Sequence, residues 1–164
     1  MAGYYSAESF FGWEQSYLSL PLWMDRIRDA NRSASRMRDE LDFYMCFFTQ
    51  SFYLRDWVVK HGVIDAEAIN LLIDGHVEMR ICRDISNRYK HLTISKPSID
   101  AHWEIRRIAR PFTDGEWDWI ILFDGGRRVE LWDLMVKCIS FWEALVAAYG
   151  LEPKGQPFER RFPL

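Results

Sequence analysis

Apolar side chains recur at helical spacing through most of this chain, and one stretch changes to short runs rich in β-branched and aromatic residues. From residue 35 to about residue 61, Met37, Leu41, Tyr44, Phe48, Ser51, Arg55 and Val58 follow one another at steps of three and four. Phe43, Phe47, Leu54 and Trp57 line a neighbouring stripe. A helix apolar on two stripes must be covered from more than one side, so this one is expected at the centre of the fold. Gly62 is placed to end it. Before it, an aromatic N-terminal segment leads to a short helix over residues 22–28, with Pro21 suited to a first turn, and then to a polar connection over 29–35. After it, a short helix from about residue 65, with Asp65 as N-cap, runs to Ile73 and passes through Asp74-Gly75 into another from about 77 to 90.

Beyond residue 91 the stretch LTISKPSIDA reads as a loop. WEIRRIAR and WDWIILF then read as the strands of an antiparallel hairpin turning at residues 113–116, with a short third strand at 127–131 after Asp124-Gly125-Gly126. A last helix over about 131–149 turns Leu134, Cys138, Phe141, Trp142, Leu145 and Ala148 inward and ends at Gly150. The tail, 151–164, is irregular. The pattern predicts one mainly-α (α+β) domain over 1–164, a helical bundle with a small antiparallel hairpin or three-stranded sheet before the last helix.

Composition agrees with a packed domain. The chain has 164 residues, 49% of them hydrophobic and 16% aromatic, too apolar for a disordered polypeptide. No apolar run reaches the 18 or so residues of a membrane span, and the N-terminus lacks the basic and apolar regions of a secretory leader. Cys46, Cys82 and Cys138 have no CxxC spacing and sit among apolar neighbours in expected helices, as small core residues of a reducing compartment; a cytoplasmic location is expected.

Most catalytic signatures are missing. No GxxxxGK[ST] or GxGxxG is present to cradle phosphates, and Gly125-Gly126 reads as a turn. There is no HExxH or GxSxG, and His102-x-Glu104 lacks the PCxxC of a zinc deaminase; His76 and His102 read as surface residues. No cofactor and no metal site are expected.

What stands out is polarity inside two otherwise apolar helices. Arg55 falls on the stripe of Tyr44, Phe48 and Ser51, where a buried charge requires an anion or acceptor. On the helix that follows, Arg80, Arg83, Asp84, Asn87, Lys90 and His91 fall within about 120° of one another on a helical wheel, leaving Cys82, Ile85 and Tyr89 for the apolar side. That face is crowded with groups able to hold phosphate.

These segments resemble HEPN domains, helical bundles whose active members are metal-independent ribonucleases marked by Arg, four to six intervening residues and His, the Arg often followed by Asn, Asp or His. Arg55-Asp56-Trp57-Val58-Val59-Lys60-His61 fits that pattern, and Arg83-Asp84 to His91 is similar but one residue longer. The resemblance covers those segments and the bundle-like helix pattern; the hairpin and aromatic N-terminus have no counterpart in a minimal member. Family members usually carry the motif towards a late helix, whereas 55–61 lies in the first long one. The resemblance implies an endoribonuclease of toxin or defence-like kind that acts on RNA as a homodimer and needs no metal. His91 or His61 would be the acid/base, Arg83 and Arg55 would meet the phosphate, and Asn87, Asp84 and Asp56 would orient the reacting groups. Lys90 and Arg80, with Asp56, would hold the substrate.

The alternative is a non-catalytic helical module that binds a protein partner or serves a structural role. Arg55 and Asp56 would then pair with Asp84 or Arg83 across the bundle, His61 would be a cation at a helix C-terminus, and the 83–91 face would be solvated. Sixteen Arg against five Lys, grouped at Arg106-Arg107-Arg110, Arg127-Arg128 and Arg160-Arg161, suit RNA contact. A net charge of −3 supplies no long-range field for it. Trp117 and Trp119 share a face of the hairpin, fit for a protein interface or a second half of the core.

Overall fold

The computed structural model describes residues 12–31, 37–90, 97–100, 102–111 and 117–153. In chain order the elements are α1 (Trp13–Leu18), α2 (Leu20–Asn31), α3 (Met37–Lys60), α4 (Ala66–Gly75), α5 (Val77–Lys90), β1 (Trp103–Ala109), β2 (Trp117–Phe123), β3 (Arg128–Glu130) and α6 (Leu131–Ala148). This is the mainly-α bundle with a small sheet before its last helix that the hydrophobic pattern predicts. None of the described helices is long and apolar enough to cross a membrane.

α3 occupies the centre because its side chains leave it no alternative. Tyr44, Met45, Phe47, Phe48, Phe52, Leu54 and Val58 are all buried, spread over more than one face. α2 covers one side, where Trp23 packs on Phe43 and donates its indole N–H to Gln50. α5 covers another, with the Cys82 thiol donating to the Phe48 carbonyl, and α6 brings Trp142 to donate to the Ser51 hydroxyl at 3.1 Å. Gly62 at φ 67° closes α3: its N–H reaches the Val59 carbonyl and the Val63 N–H reaches Val58, the paired bonds of a Schellman end. Asp65 then caps α4 by accepting from the Glu67 and Ala68 amides. Because α4 leads back along α3, α5 runs in the same direction as α3: Cys82 meets Phe48 and Lys90 meets Tyr53.

The sheet is antiparallel in the order β1-β2-β3, with Ile105 opposite Ile121 and Ile121 opposite Val129. Trp103, Ile121 and Phe123 enter the common core, and β3 runs directly into α6. Several boundaries differ from expectation. The helix expected over 22–28 spans Leu20–Asn31, because Leu20, Ile27 and Ala30 are all buried at helical spacing, and α1 precedes it where only an aromatic segment was expected. Ala148 and Tyr89, expected inside, are exposed, each in the last turn of its helix, and Cys46 is half-buried. The turn expected at 113–116, the tail from 154 and Arg160-Arg161 lie outside the described residues.

Where α3 passes under the sheet, Glu40 is 2% exposed. Burial pushes its carboxyl above the ordinary value, opposed by the Trp119 indole N–H and the Arg107 guanidinium and reinforced by Asp118. Tyr44, one turn along, is raised by burial and by Glu40. A raised carboxyl favours the folded state when protonated, so its contribution is largest below the ordinary glutamate value and is lost as pH rises through the folded value. Urea midpoints should therefore show Glu40→Gln matching wild type near pH 4 and exceeding it at pH 7; a variant weaker than wild type at pH 7 would contradict this account of Glu40.

Candidate functional site

Spacing on α3 brings Trp57, from the second apolar stripe, together with side chains that the stripes do not use. Tyr53, Asp56, Trp57 and Lys60 stand at i, i+3, i+4 and i+7, one face of the last two turns, and line a shallow depression of about 290 Å³. Lys60 Nζ lies 5.2 Å from the centroid of the Trp57 ring, and the His61 ring, exposed at the helix end, lies 6.1 Å from it at 33°. From α5, Lys90 Nζ donates to the Tyr53 hydroxyl at 3.3 Å and stands 5.5 Å from that ring. Parallel α3 and α5 thus bring Lys90 against Tyr53, about two helical turns before Lys60 and His61.

Arg55 joins this group only through Asp56. Its Nε and one terminal nitrogen donate to Asp56 Oδ1 at 2.9 and 2.6 Å, the other donates to Asn70 of α4 at 3.2 Å, and the guanidinium lies 5.3 Å from the Phe52 ring. The expectation of a buried Arg55 is corrected: α4 covers this stripe only partly, and the side chain is 32% exposed. Its partners are Asp56 and Asn70 rather than Asp84 or Arg83.

Arg83 and Asp84 form a clasp of a different kind. Asp84, expected on an open polar face, is 2% exposed, because its carboxylate turns under the 97–100 segment and accepts from the Ser98 amide at 2.8 and 3.0 Å and from the Ile99 amide at 3.2 Å. Arg83 donates to the Ser98 hydroxyl at 2.8 Å and to Asp74 at 2.7 Å. Together they pin the segment that delivers the chain to β1. Arg80, one turn earlier, is half-buried with its Nε enclosed and without an acceptor, and Asn87 is half-buried between the clasp and Lys90. His91 lies outside the described residues.

The nine residues singled out from sequence therefore separate. Asp56, His61 and Lys90 gather around the depression, whereas Arg55, Arg83 and Asp84 are engaged in holding neighbouring elements. Tyr53 and Trp57 were overlooked as site residues; the available signal was their i, i+4 spacing with Asp56 and Lys60 on the same face of an otherwise apolar helix. Among the described residues no three His, Cys, Asp or Glu side chains gather as a metal site requires. No family model, curated protein or solved structure matches this chain.

The clasp has a direct test. Asp84→Asn exchanges one carboxylate acceptor for an amide N–H donor facing two backbone donors, so it should lower stability by about 1–3 kcal/mol in urea unfolding and speed hydrogen exchange at the Ser98 and Ile99 amides. Unchanged exchange at those amides would refute the assigned role.

Proposed function

We propose that this chain binds and cuts RNA without a metal ion at the end of the bundle where α3 and α5 finish, acting in the cytoplasm, where its three free thiols stay reduced. The observation that carries the reading is the packing of the end of α5 against the last two turns of α3: Lys90 reaches Tyr53, and about two turns further along His61 is exposed beside Lys60 and Trp57. In this reading His61 removes the proton of a ribose 2′-hydroxyl. The 2′-oxygen attacks the adjacent phosphorus, the bond to the 5′-oxygen breaks, and the leaving oxygen takes up a proton, giving a cyclic 2′,3′-phosphate and a 5′-hydroxyl. Lys60 and Lys90 offset the charge that builds on the phosphate oxygens. A homodimer would bring a second such end to the substrate, supplying acid and base from different subunits.

A second reading is supported by a specific observation. Arg55 and Arg83 are both committed to acidic and amide partners within the bundle, and Asp84 is committed to the 97–100 segment, as in a domain whose polar groups brace the fold and whose surface receives a partner protein. Lys60 and His61 at the end of α3 also offset the negative helix terminus.

One gel separates the two. A panel of structured and single-stranded RNAs incubated in EDTA with wild type, His61→Ala and His91→Ala should show cutting by wild type that falls by about 10²- to 10⁴-fold in His61→Ala. Cutting lost instead in His91→Ala would move the acid/base to that residue. Cutting abolished by EDTA would overturn the metal-free reaction, and no cutting by folded wild type would leave the second reading.

A further inference from the structure

We infer that the outer edge of β1 pairs with the same edge of a second copy of this chain, antiparallel about Ile105, to join the two three-stranded sheets into one. The inference goes beyond the proposed reaction: it gives the homodimer an interface and stands whether or not RNA is cut.

Backbone geometry comes first. β1 stands at one end of the sheet order, so among the described residues only one of its sides has a strand beside it. One step beyond the Trp103–Phe123 pair, the Asp124 amide donates to the His102 carbonyl, and this bond sets the alternation of the ladder. Glu104, Arg106 and Ile108 turn their backbone groups toward β2, and Trp103, Ile105, Arg107 and Ala109 turn theirs to the outer side. Arg88 agrees with this phase, since it reaches the Trp103 carbonyl from the end of α5. Among the described residues no backbone hydrogen bond reaches Ile105 from the outer side. An open edge is a template for another strand, and proteins ordinarily blunt it with lysine, proline or a bulge. β1 pairs with β2 continuously over residues 103–109 and holds neither lysine nor proline there.

Charge then selects the partner and the register. Odd-numbered residues of β1 face the helices, where Trp103 is buried and Ile105 packs on the core. On the opposite face Glu104 and Arg106 pair with each other, and their side chains are 52% and 57% exposed. A twofold axis normal to the sheet sets a residue of β1 opposite itself in the second copy. Centred on Glu104, Arg106 or Arg107, it places like charges directly across from each other, which destabilises strand pairing. Centred on Ile105, it places Glu104 of each copy opposite Arg106 of the other, and the outward N–H and C=O of Ile105 meet their own counterparts. The four charged side chains then alternate in sign on the exposed face. A second copy of this edge is thus its own complement, which an isologous interface requires.

The same register carries α5 with it. Arg88 ties the end of that helix to Trp103, both through the carbonyl and with its guanidinium 4.5 Å from the ring centroid. In antiparallel strands centred on Ile105 the two Trp103 residues lie about 13 Å apart along the strands. Both α5 ends therefore come to the helix-bearing side of one continuous sheet. The paired edge is short, so the expected dimer depends on concentration, and salt weakens it by screening the exposed charges.

Sedimentation velocity of the full chain over a concentration series tests the pairing. Wild type should move from 19.6 kDa toward twice that mass as concentration rises. Glu104→Arg and Arg106→Glu each turn both cross-strand pairs into like charges, so each alone should raise the dissociation constant about tenfold or more. In an equimolar mixture of the two variants every cross-strand pair is again of opposite sign, so mixed dimers should form about as tightly as wild-type ones. Hydrogen exchange of wild type needs no variant: the Ile105 amide should slow as concentration rises, whereas the Glu104 amide, bonded to β2, should not change. Wild type that stays at 19.6 kDa throughout overturns the proposal. So does a dimer that neither variant weakens, one that the mixture fails to restore, or one in which Ile105 exchange ignores concentration. RNA cutting by a chain that remains monomeric would sustain the nuclease reading and sink this interface; a dimer joined at Ile105 that cuts no RNA would do the reverse.

Discussion

Burial of α3 on three sides is the constraint from which the rest of the structure follows. Phe47, Phe48, Leu54 and Val58 are at most 1% exposed, and removing each such side chain from water contributes at most about 1.5–3 kcal/mol. A helix with apolar side chains on that much of its circumference cannot rest on a single neighbour, so α2, α5 and α6 each take a side. The polar contacts that accompany them, Gln50 with Trp23, Cys82 with the Phe48 carbonyl and Ser51 with Trp142, satisfy groups that the burial encloses. Two consequences bear on function: α5 is set parallel to α3, and the last two turns of α3 leave one face uncovered.

That uncovered face differs chemically from the arginine-rich features elsewhere. Arg55 and Arg83 face acidic or amide groups at hydrogen-bonding distance, and Asp84 is almost completely enclosed by the segment it holds. Such groups fix the geometry of a site more readily than they enter its chemistry. Asp56 links the two roles, since Arg55 holds one of its oxygens while the residue lines the depression. The Arg-to-His spacing thus acquires a physical meaning that does not depend on any resemblance: the Arg sets the carboxylate, and the chain one turn later presents a lysine and a histidine.

Much of this architecture was legible in the sequence because periodicity encodes it. The two-stripe pattern located α3, the N-cap at Asp65 is occupied as expected, and WEIRRIAR with WDWIILF gave strands in register. α1 escaped notice because its apolar side chains are interrupted by Glu14, Gln15 and Ser16, so local patterning gives way to packing. The site was harder to read. On a helical wheel Asp84 shares an arc with Arg83 and Asn87, yet a loop distant in sequence covers it, and no local pattern announces where such a loop will pass. Arg55 likewise sits on a stripe that reads as buried, while the shortness of α4 leaves it partly open. Trp57 reads as part of an apolar stripe with Phe47, and it does pack against the core while its half-buried ring also lines the depression; Tyr53 falls on neither stripe.

The most direct measurement is a two-dimensional amide spectrum of the isotopically labelled chain during titration with a mixed-sequence 2′-O-methyl RNA nonamer. Shifts concentrated at Tyr53, Asp56, Trp57, Lys60, His61 and Lys90, with the Ser98 and Ile99 amides held by Asp84 unmoved, are the expected result. Shifts confined to Arg106, Arg107 and Arg128 on the sheet, or none at all, would contradict the assignment of function to the end of α3.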